Sequence, residues 1–315
     1  MMFSELKRKY ENSAHEKADI IDYAKNLHSE LMKISDLGTL MNNNFIKNVT
    51  ISQNGIYIEL DSDIKLYINK NDYEEVSMSC LCVGNYEAEE TRMVFKILDY
   101  FKKNQNFTVL DIGANVGWYT LNIMKKYPAM KVFSFEPVPI SYERLKNNLI
   151  LNHLNVERLI NIGLYKENGK MDFYYDIEGS GASSLVNLRG KEKIDKIVVD
   201  VKKLDDWVAD NELNSIDFIK CDVEGSELLV YQGGEETIKK YHPIVFSEML
   251  RKWCAKFGYH PNDIIYFYKN MGYSCFVFRE DRLIPFEQVT ETTIETNYFF
   301  LHTKKHSNLI NDLCK

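Results

Sequence analysis

Three acids stand where they could move a proton or hold a cation. Asp222 and Glu224 lie two residues apart in IDFIKCDVEGSELL, residues 216–229. On an extended backbone, side chains two apart project to one side. Glu248 closes a second apolar run, YHPIVFSE, at residues 241–248. Carboxylates grouped in this way can take a proton from a hydroxyl. They can also hold Mg²⁺ or Mn²⁺ in a hard, oxygen-rich site that acidifies a bound hydroxyl directly. An added imidazole from His260 would suit Fe²⁺ or Mn²⁺. Structural duties compete with this reading. Glu224 could cap the helix that follows, Glu248 could pair with Arg251, and His242 and His260 could be surface or packing residues.

The elements that must position these acids begin with VLDIGANVGWYTL, residues 109–121. The run opens as a buried strand, with Phe107, Val109, Leu110 and Ile112 apolar and Thr108 β-branched. Asp111 sits near the strand end, a turn carries Gly113, Asn115 and Gly117, and a helix starts near Trp118. Strand, glycine turn, helix is the order that lets backbone approach a ligand at the end of a parallel sheet. The glycines read G-x-x-x-G and not G-x-G-x-x-G, so a dinucleotide pyrophosphate cradle is poorly supported. About twenty residues on, KVFSFE ends a second strand in Glu136, an acid suited to ribose hydroxyls.

Composition narrows the class. The 315 residues are long for one domain and short for two large ones, and 45% are hydrophobic, enough for a sizeable core. A formal net charge of −7 opposes nonspecific binding to nucleic acid or anionic lipid. No apolar run is long enough to span a bilayer, and MMFSELKRKY does not read as a signal peptide. Six scattered cysteines, among them Cys80 and Cys82, show no paired zinc spacing and read as reduced thiols of a cytoplasmic protein.

Along the chain, residues 3 to about 34 recur at helical spacing: Leu6, Tyr10, Ile20, Ile21, Ala24, Leu27, Leu31 and Ile34. They predict an amphipathic pair or a broken helix that covers the catalytic domain or builds a dimer. NVTISQNGIYIELDSDIKLYINK alternates about Asn54-Gly55 and predicts a hairpin or meander. Tyr86 and Glu87 precede a helix running through Phe101; they either start that helix or lie over the cleft. Residues 156–164 form a third strand ending at Gly163. Strands follow near 170–176 and 196–203, separated by a glycine–serine run at 179–184. That run reads as a solvated loop or one that closes over a substrate. A helix near 261–271 and strands near 273–278 and 297–302 complete an open sheet.

The D-x-G-x-N-x-G turn with its following acid resembles the class I methyltransferases that bind S-adenosylmethionine. DFIKCDVEGSELLVYQGG makes the resemblance specific. Together with G-x-Y-E, FEPVP and PIVFSE, in that order, it is similar to the FkbM-like methyltransferases over roughly residues 84–302. Cys221 and Ser226 stand where other residues are common. The resemblance implies an α/β fold with a doubly wound, mostly parallel sheet. Residues 1–75 would be a helical and hairpin cap or dimerisation region, 76–305 the methyltransferase domain, and 306–315 a tail. It implies S-adenosylmethionine held by Tyr86, Glu87, Asp111, Gly113, Asn115, Gly117, Glu136, Gly163 and Asp222, with Gly163 near adenine. Asp222, Glu224 and Glu248 would act in catalysis, or with His260 hold a divalent metal. The implied reaction is O-methylation of a small acceptor, a nucleotide-linked or cell-surface sugar, since members of the family modify sugars and polyketides. Methylation of an amine or carboxylate is one alternative. A noncatalytic module that binds a partner through its N-terminal helices is another.

Overall fold

The structure is a computed structural model that describes residues 3–13, 17–35, 38, 45–72, 75–175, 184–186 and 195–315. The N-terminal residues form two helices, Phe3–Glu11 and Lys17–Ser35, packed on each other through a Tyr10–Tyr23 stack at 4.9 Å. A three-stranded antiparallel sheet follows: β1 (Ile46–Ser52), β2 (Gly55–Leu60) and β3 (Lys65–Tyr67). Its tight connection is the predicted Asn54-Gly55, with Gly55 at φ +127°. This small sheet buries Ile46, Ile58, Leu60, Ile64 and Leu66 against Val116, Leu121, Leu145 and Leu149 of the larger domain. Two buried asparagines fasten it: Asn152 Oδ1 accepts from Lys65 N at 2.8 Å, and Asn148 Oδ1 from Tyr67 N at 3.0 Å.

The main body is an eight-stranded mixed sheet. Its strands in chain order are β4 (Thr108–Ile112), β5 (Lys131–Phe135), β6 (Leu159–Ile160), β10 (Phe218–Cys221), β11 (Ile244–Glu248), β12 (Tyr273–Arg279), β13 (Arg282–Phe286) and β14 (Asn297–His302). They lie in the order β13-β12-β14-β11-β10-β4-β5-β6. β6, β5, β4, β10 and β11 run parallel, whereas β14 is antiparallel to both β11 and β12. This is the doubly wound, mostly parallel arrangement that the resemblance implied. Its strand order reverses between β4 and β10, and in open α/β sheets the ligand crevice opens outside the carboxyl ends at such a reversal.

Both faces are covered, which explains the unbroken apolar runs. Leu110, Ile219, Val245 and Phe300 pack on one side with Trp207, Tyr231, Ile264 and Tyr268. Their chain neighbours Val109, Phe218, Ile244 and Phe299 pack on the other with Met93, Val94, Ile97 and Leu98. Each pair of neighbours points to opposite faces because side chains alternate along a strand.

The structure departs from the sequence expectations in several elements. The third strand is split: β6 stays in the main sheet, while β7 (Gly163–Leu164) leaves it to pair with β9 (Asp195–Lys202). Between them the Asn161 side chain donates to Glu136 O at 2.8 Å, taking the place of ladder pairing. β8 (Gly169–Tyr175) completes this smaller sheet. The glycine–serine run lies outside the described residues except Ser184. Residues 306–315 are not a loose tail, because helix Ser307–Leu313 buries Leu309 against the second apolar cluster. Strand β13 and helix Val76–Val83 have no counterpart in the sequence reading.

Candidate active site

The glycine turn is built by close approach. Gly113 sits at φ +75°, and a Cβ there would fall 1.8 Å from Asp222 O. Backbone N–H groups of Gly113 and Ala114 donate to Phe135 O at 3.1 and 2.9 Å, and Asp222 N donates to Ile112 O at 3.1 Å. The ends of β4, β5 and β10 are thereby tied into one rim. Gly117, at φ +96°, abuts Leu145 Cδ1, which a Cβ would meet at 2.2 Å.

A cavity opens on that rim. Its walls include Tyr86, Glu87, Gly113, Asn115, Glu136, Gly163, Asp222, Glu224 and Glu248. Seven of the nine residues implied for cofactor binding therefore line one space. Asp111 and Gly117 do not. Asp111 is buried behind the turn, where Oδ2 accepts from Thr120 N at 3.1 Å and Thr120 Oγ1 at 2.6 Å. It ties the strand end to the helix that follows. Gly117 serves helix packing.

Three residues other than glycine on this wall adopt positive φ: Glu87 (43°), Asn115 (47°) and Glu224 (55°). Left-handed backbone at such residues costs of order 1–3 kcal/mol and concentrates at functional sites. Here each kink turns a polar side chain towards the same cavity.

Glu136 is almost fully buried. Its Oε2 accepts from Asn115 N and its Oε1 from Val138 N, both at 2.9 Å. Burial pushes this carboxyl up to about 7, against the pull of those two N–H groups. Asp222, Glu224 and Glu248 converge, with one carboxylate oxygen from each lying within 4.8 Å of the others. Glu248 is held well above the usual carboxylate range by burial and then by Asp222 and Glu224. Asp222 Oδ1 is buried with no hydrogen-bond partner. Hard carboxylate oxygens at this spacing, one of them orphaned, fit a small divalent cation.

The structural alternatives for these acids fail. Ser226, and not Glu224, holds the N-cap position of helix Glu227–Gln232, and its side chain makes no capping bond. Arg251 pairs with Glu291 at 2.6 Å instead of Glu248. His260 stands apart from the acids: it is exposed and caps helix Pro261–Asn270, with Nδ1 accepting from Asn262 N at 3.2 Å. That duty, set by the Pro261 that follows it, removes His260 from the ligand set.

Four residues of the site were not singled out from the sequence. Lys220 is 4% exposed on β10 and donates to Gly113 O at 2.8 Å, with Asp222 at 3.5 Å and Asp111 at 3.6 Å. Burial works to lower its pKa, but Asp222, Asp111 and Glu87 outweigh it and hold the ammonium form. Glu227 Oε1 accepts from Val223 N and Gly225 N, both at 3.0 Å, and so shapes the turn bearing Asp222 and Glu224. Tyr259 steadies the same turn by donating to Gly225 O at 2.8 Å, and Tyr119 donates to Glu87 Oε2 at 2.6 Å. The signal for Lys220 was present: a lysine inside the otherwise buried FIKC demands a buried anion.

These burials make stability depend on pH. Glu75, Glu136 and Glu227 are each pushed from 4.5 up to about 7, chiefly by burial. A raised folded-state value gives stability that is complete below the unfolded value of 4.5 and is lost as pH rises through about 7. His306 works in the other direction. Burial lowers it from 6.5 to about 3, so its contribution holds above 6.5 and is lost as pH falls. With three carboxyls set against one imidazole, the melting temperature of the ligand-free protein should be highest at about pH 5 or just below. It should fall steadily from there towards pH 8. Glu75→Gln and Glu136→Gln should flatten that alkaline slope in calorimetric scans; an unchanged slope in the double variant would contradict the assignment.

The sequence profile of the Methyltransferase FkbM domain matches residues 111–275, more than half of the chain. Methyltransferase sdnD of Sordaria araneosa is 34% identical over 173 residues, covering 46% of this chain and 66% of that protein. The 2-O-methyltransferase NoeI of Sinorhizobium fredii is 32% identical over 146 residues, covering 42% of this chain and 59% of its own. The chain thus spans less than two thirds of either relative. The crystal structure of methyltransferase FkbM from Methylobacillus flagellatus has a TM-score of 0.39 at 17% identity, over 62% of this chain and 44% of that one. With the profile running from β4 into the start of β12, the chain belongs to the FkbM family of methyltransferase domains.

Proposed function

We propose that the protein transfers a methyl group from S-adenosylmethionine to a hydroxyl of a small acceptor, a sugar. One observation carries the reading: the glycine turn and Glu136 open on the same cavity as Asp222, Glu224 and Glu248. Cofactor and acceptor chemistry would then meet at one rim. NoeI, by its name a 2-O-methyltransferase, supports oxygen as the acceptor atom.

A sulfonium methyl is already activated, so transfer is an in-line displacement governed by alignment. Glu136 would accept the ribose hydroxyls, and backbone near Gly163 would meet the adenine. Gly113 leaves space for the backbone of the Asp222 turn beside the donor. An alcohol is a poor nucleophile near neutral pH, and its proton must leave during attack. Glu248 suits that role, because its raised affinity for protons makes it a stronger base than an ordinary carboxylate. Asp222 and Glu224 would hold the hydroxyl or, with Glu248, a divalent cation that stabilises the alkoxide charge.

Incubation with methyl-labelled S-adenosylmethionine and a panel of free and nucleotide-linked sugars tests the reading. A labelled methyl ether is the expected product. Label on nitrogen or on a carboxylate would replace oxygen as the acceptor. Glu136→Ala should weaken S-adenosylmethionine binding by about 1–3 kcal/mol, the loss typical of a charged hydrogen-bond partner. Unchanged affinity by calorimetry, in a variant that keeps the wild-type fold, would remove Glu136 from the ribose site.

A further inference from the structure

Among the described residues, one face of the N-terminal helix pair packs on none of the protein's apolar clusters. Helix Lys17–Ser35 carries Ile20, Ala24, Leu27, Leu31 and Ile34, spaced four, three, four and three residues apart. That alternation is the 3.5-residue repeat of a coiled-coil seam, and it differs from the broader stripe of a helix lying on a globular core. On this seam Ile20 is 48% exposed and Leu31 46%. One flank of the seam is already used within the chain, by the Tyr10–Tyr23 stack, with the Lys9–Asp22 pair beyond it. Among the described residues, neither helix contributes to any of the three apolar clusters of the protein.

We infer that this seam is covered by the same helix of a second copy, so that the protein is a homodimer joined through residues 17–35. Charge favours self-association. Three lysines (Lys17, Lys25, Lys33) and three acids (Asp19, Asp22, Glu30) cancel along the helix. The positions flanking the seam are Ile21, Tyr23, His28 and Glu30, and the only carboxylate among them is bridged to Lys33 at 2.8 Å. Two copies therefore meet without like charges opposed, the condition that flanking positions impose on partner choice. A helix of this length extends roughly 28 Å. Two helices of that length in contact would bury less than the roughly 1,600 Å² of a standard interface. The dimer should accordingly dissociate on dilution. No residue of this helix lines the candidate site, so transfer chemistry does not depend on the pairing.

Sedimentation equilibrium of the full chain tests the inference. The mass should rise from 36.9 kDa towards twice that value as concentration climbs from about 1 to 200 μM. Ile20→Glu and Leu31→Glu, each placing a charge on an exposed seam position, should hold the protein at monomer mass with helix content and cofactor affinity unchanged. A wild-type protein that stays monomeric throughout overturns the inference. So does a dimer that survives both substitutions, since its interface would lie elsewhere. Monomeric wild type that binds lipid vesicles through this helix would assign the seam to a membrane surface instead.

Discussion

Gly113→Val should cost the fold about 3–5 kcal/mol and abolish cofactor binding. Two penalties add. The residue sits at φ +75°, where a side chain costs of order 1–3 kcal/mol. The added Cβ would also fall 1.8 Å from Asp222 O and 3.2 Å from Val223 Cγ1, so two strand ends must separate. Overpacking of that kind costs typically 1–3 kcal/mol. Gly258 provides the control. It shares the left-handed backbone at φ +79°, but a Cβ there meets nothing within 4 Å. Gly258→Ala should therefore show the backbone penalty alone and leave binding intact. Thermal melts and calorimetry of the two variants separate the effects. A Gly113→Val protein with wild-type stability would mean that the two turns are not pressed together. The cofactor is not needed to explain the glycine: the carbonyl of Asp222 already excludes a side chain.

Chelation followed by dialysis should cut turnover by at least about 100-fold while S-adenosylmethionine still binds. Mn²⁺, Fe²⁺ or Mg²⁺ should restore it. Three acids whose oxygens lie within 4.8 Å repel one another, and Lys220 approaches Asp222 at 3.5 Å. A divalent cation would relieve that repulsion, and the orphaned Asp222 Oδ1 offers it a ligand. Direct titration of Mn²⁺ gives a readout besides activity: Asp222→Asn should abolish binding, and Glu248→Gln should weaken it. Full activity after thorough chelation would contradict the metal and leave proton transfer to a carboxylate. Glu248→Gln would then lower kcat by roughly 10²–10⁴.

Much of this architecture can be read from local sequence. The runs around Val109, Phe218 and Ile244 are apolar on both faces because helices cover both sides of the sheet. The turn at Asn54-Gly55 needs positive φ and has the residues for it. The acids were legible because they end strands that a parallel sheet aligns. Other features depend on distant contacts. Lys220 makes sense only when Asp111, from the neighbouring strand, stands opposite it in register. Asp111 points behind the rim because Thr120 offers it two donors. His260 looked like a ligand by type, yet Pro261 after it marks a helix start, and capping took the imidazole. Helix Val76–Val83 has an apolar sequence without clear periodicity, and only its burial against the small sheet makes it legible.

The most direct test of the whole account is a crystal structure with S-adenosylhomocysteine. The ribose hydroxyls should lie about 2.7 Å from the Glu136 carboxylate. The sulfur should face Asp222 and Glu248 across the cavity. A nucleoside bound away from Glu136, or a sulfur turned from the three acids, would contradict it.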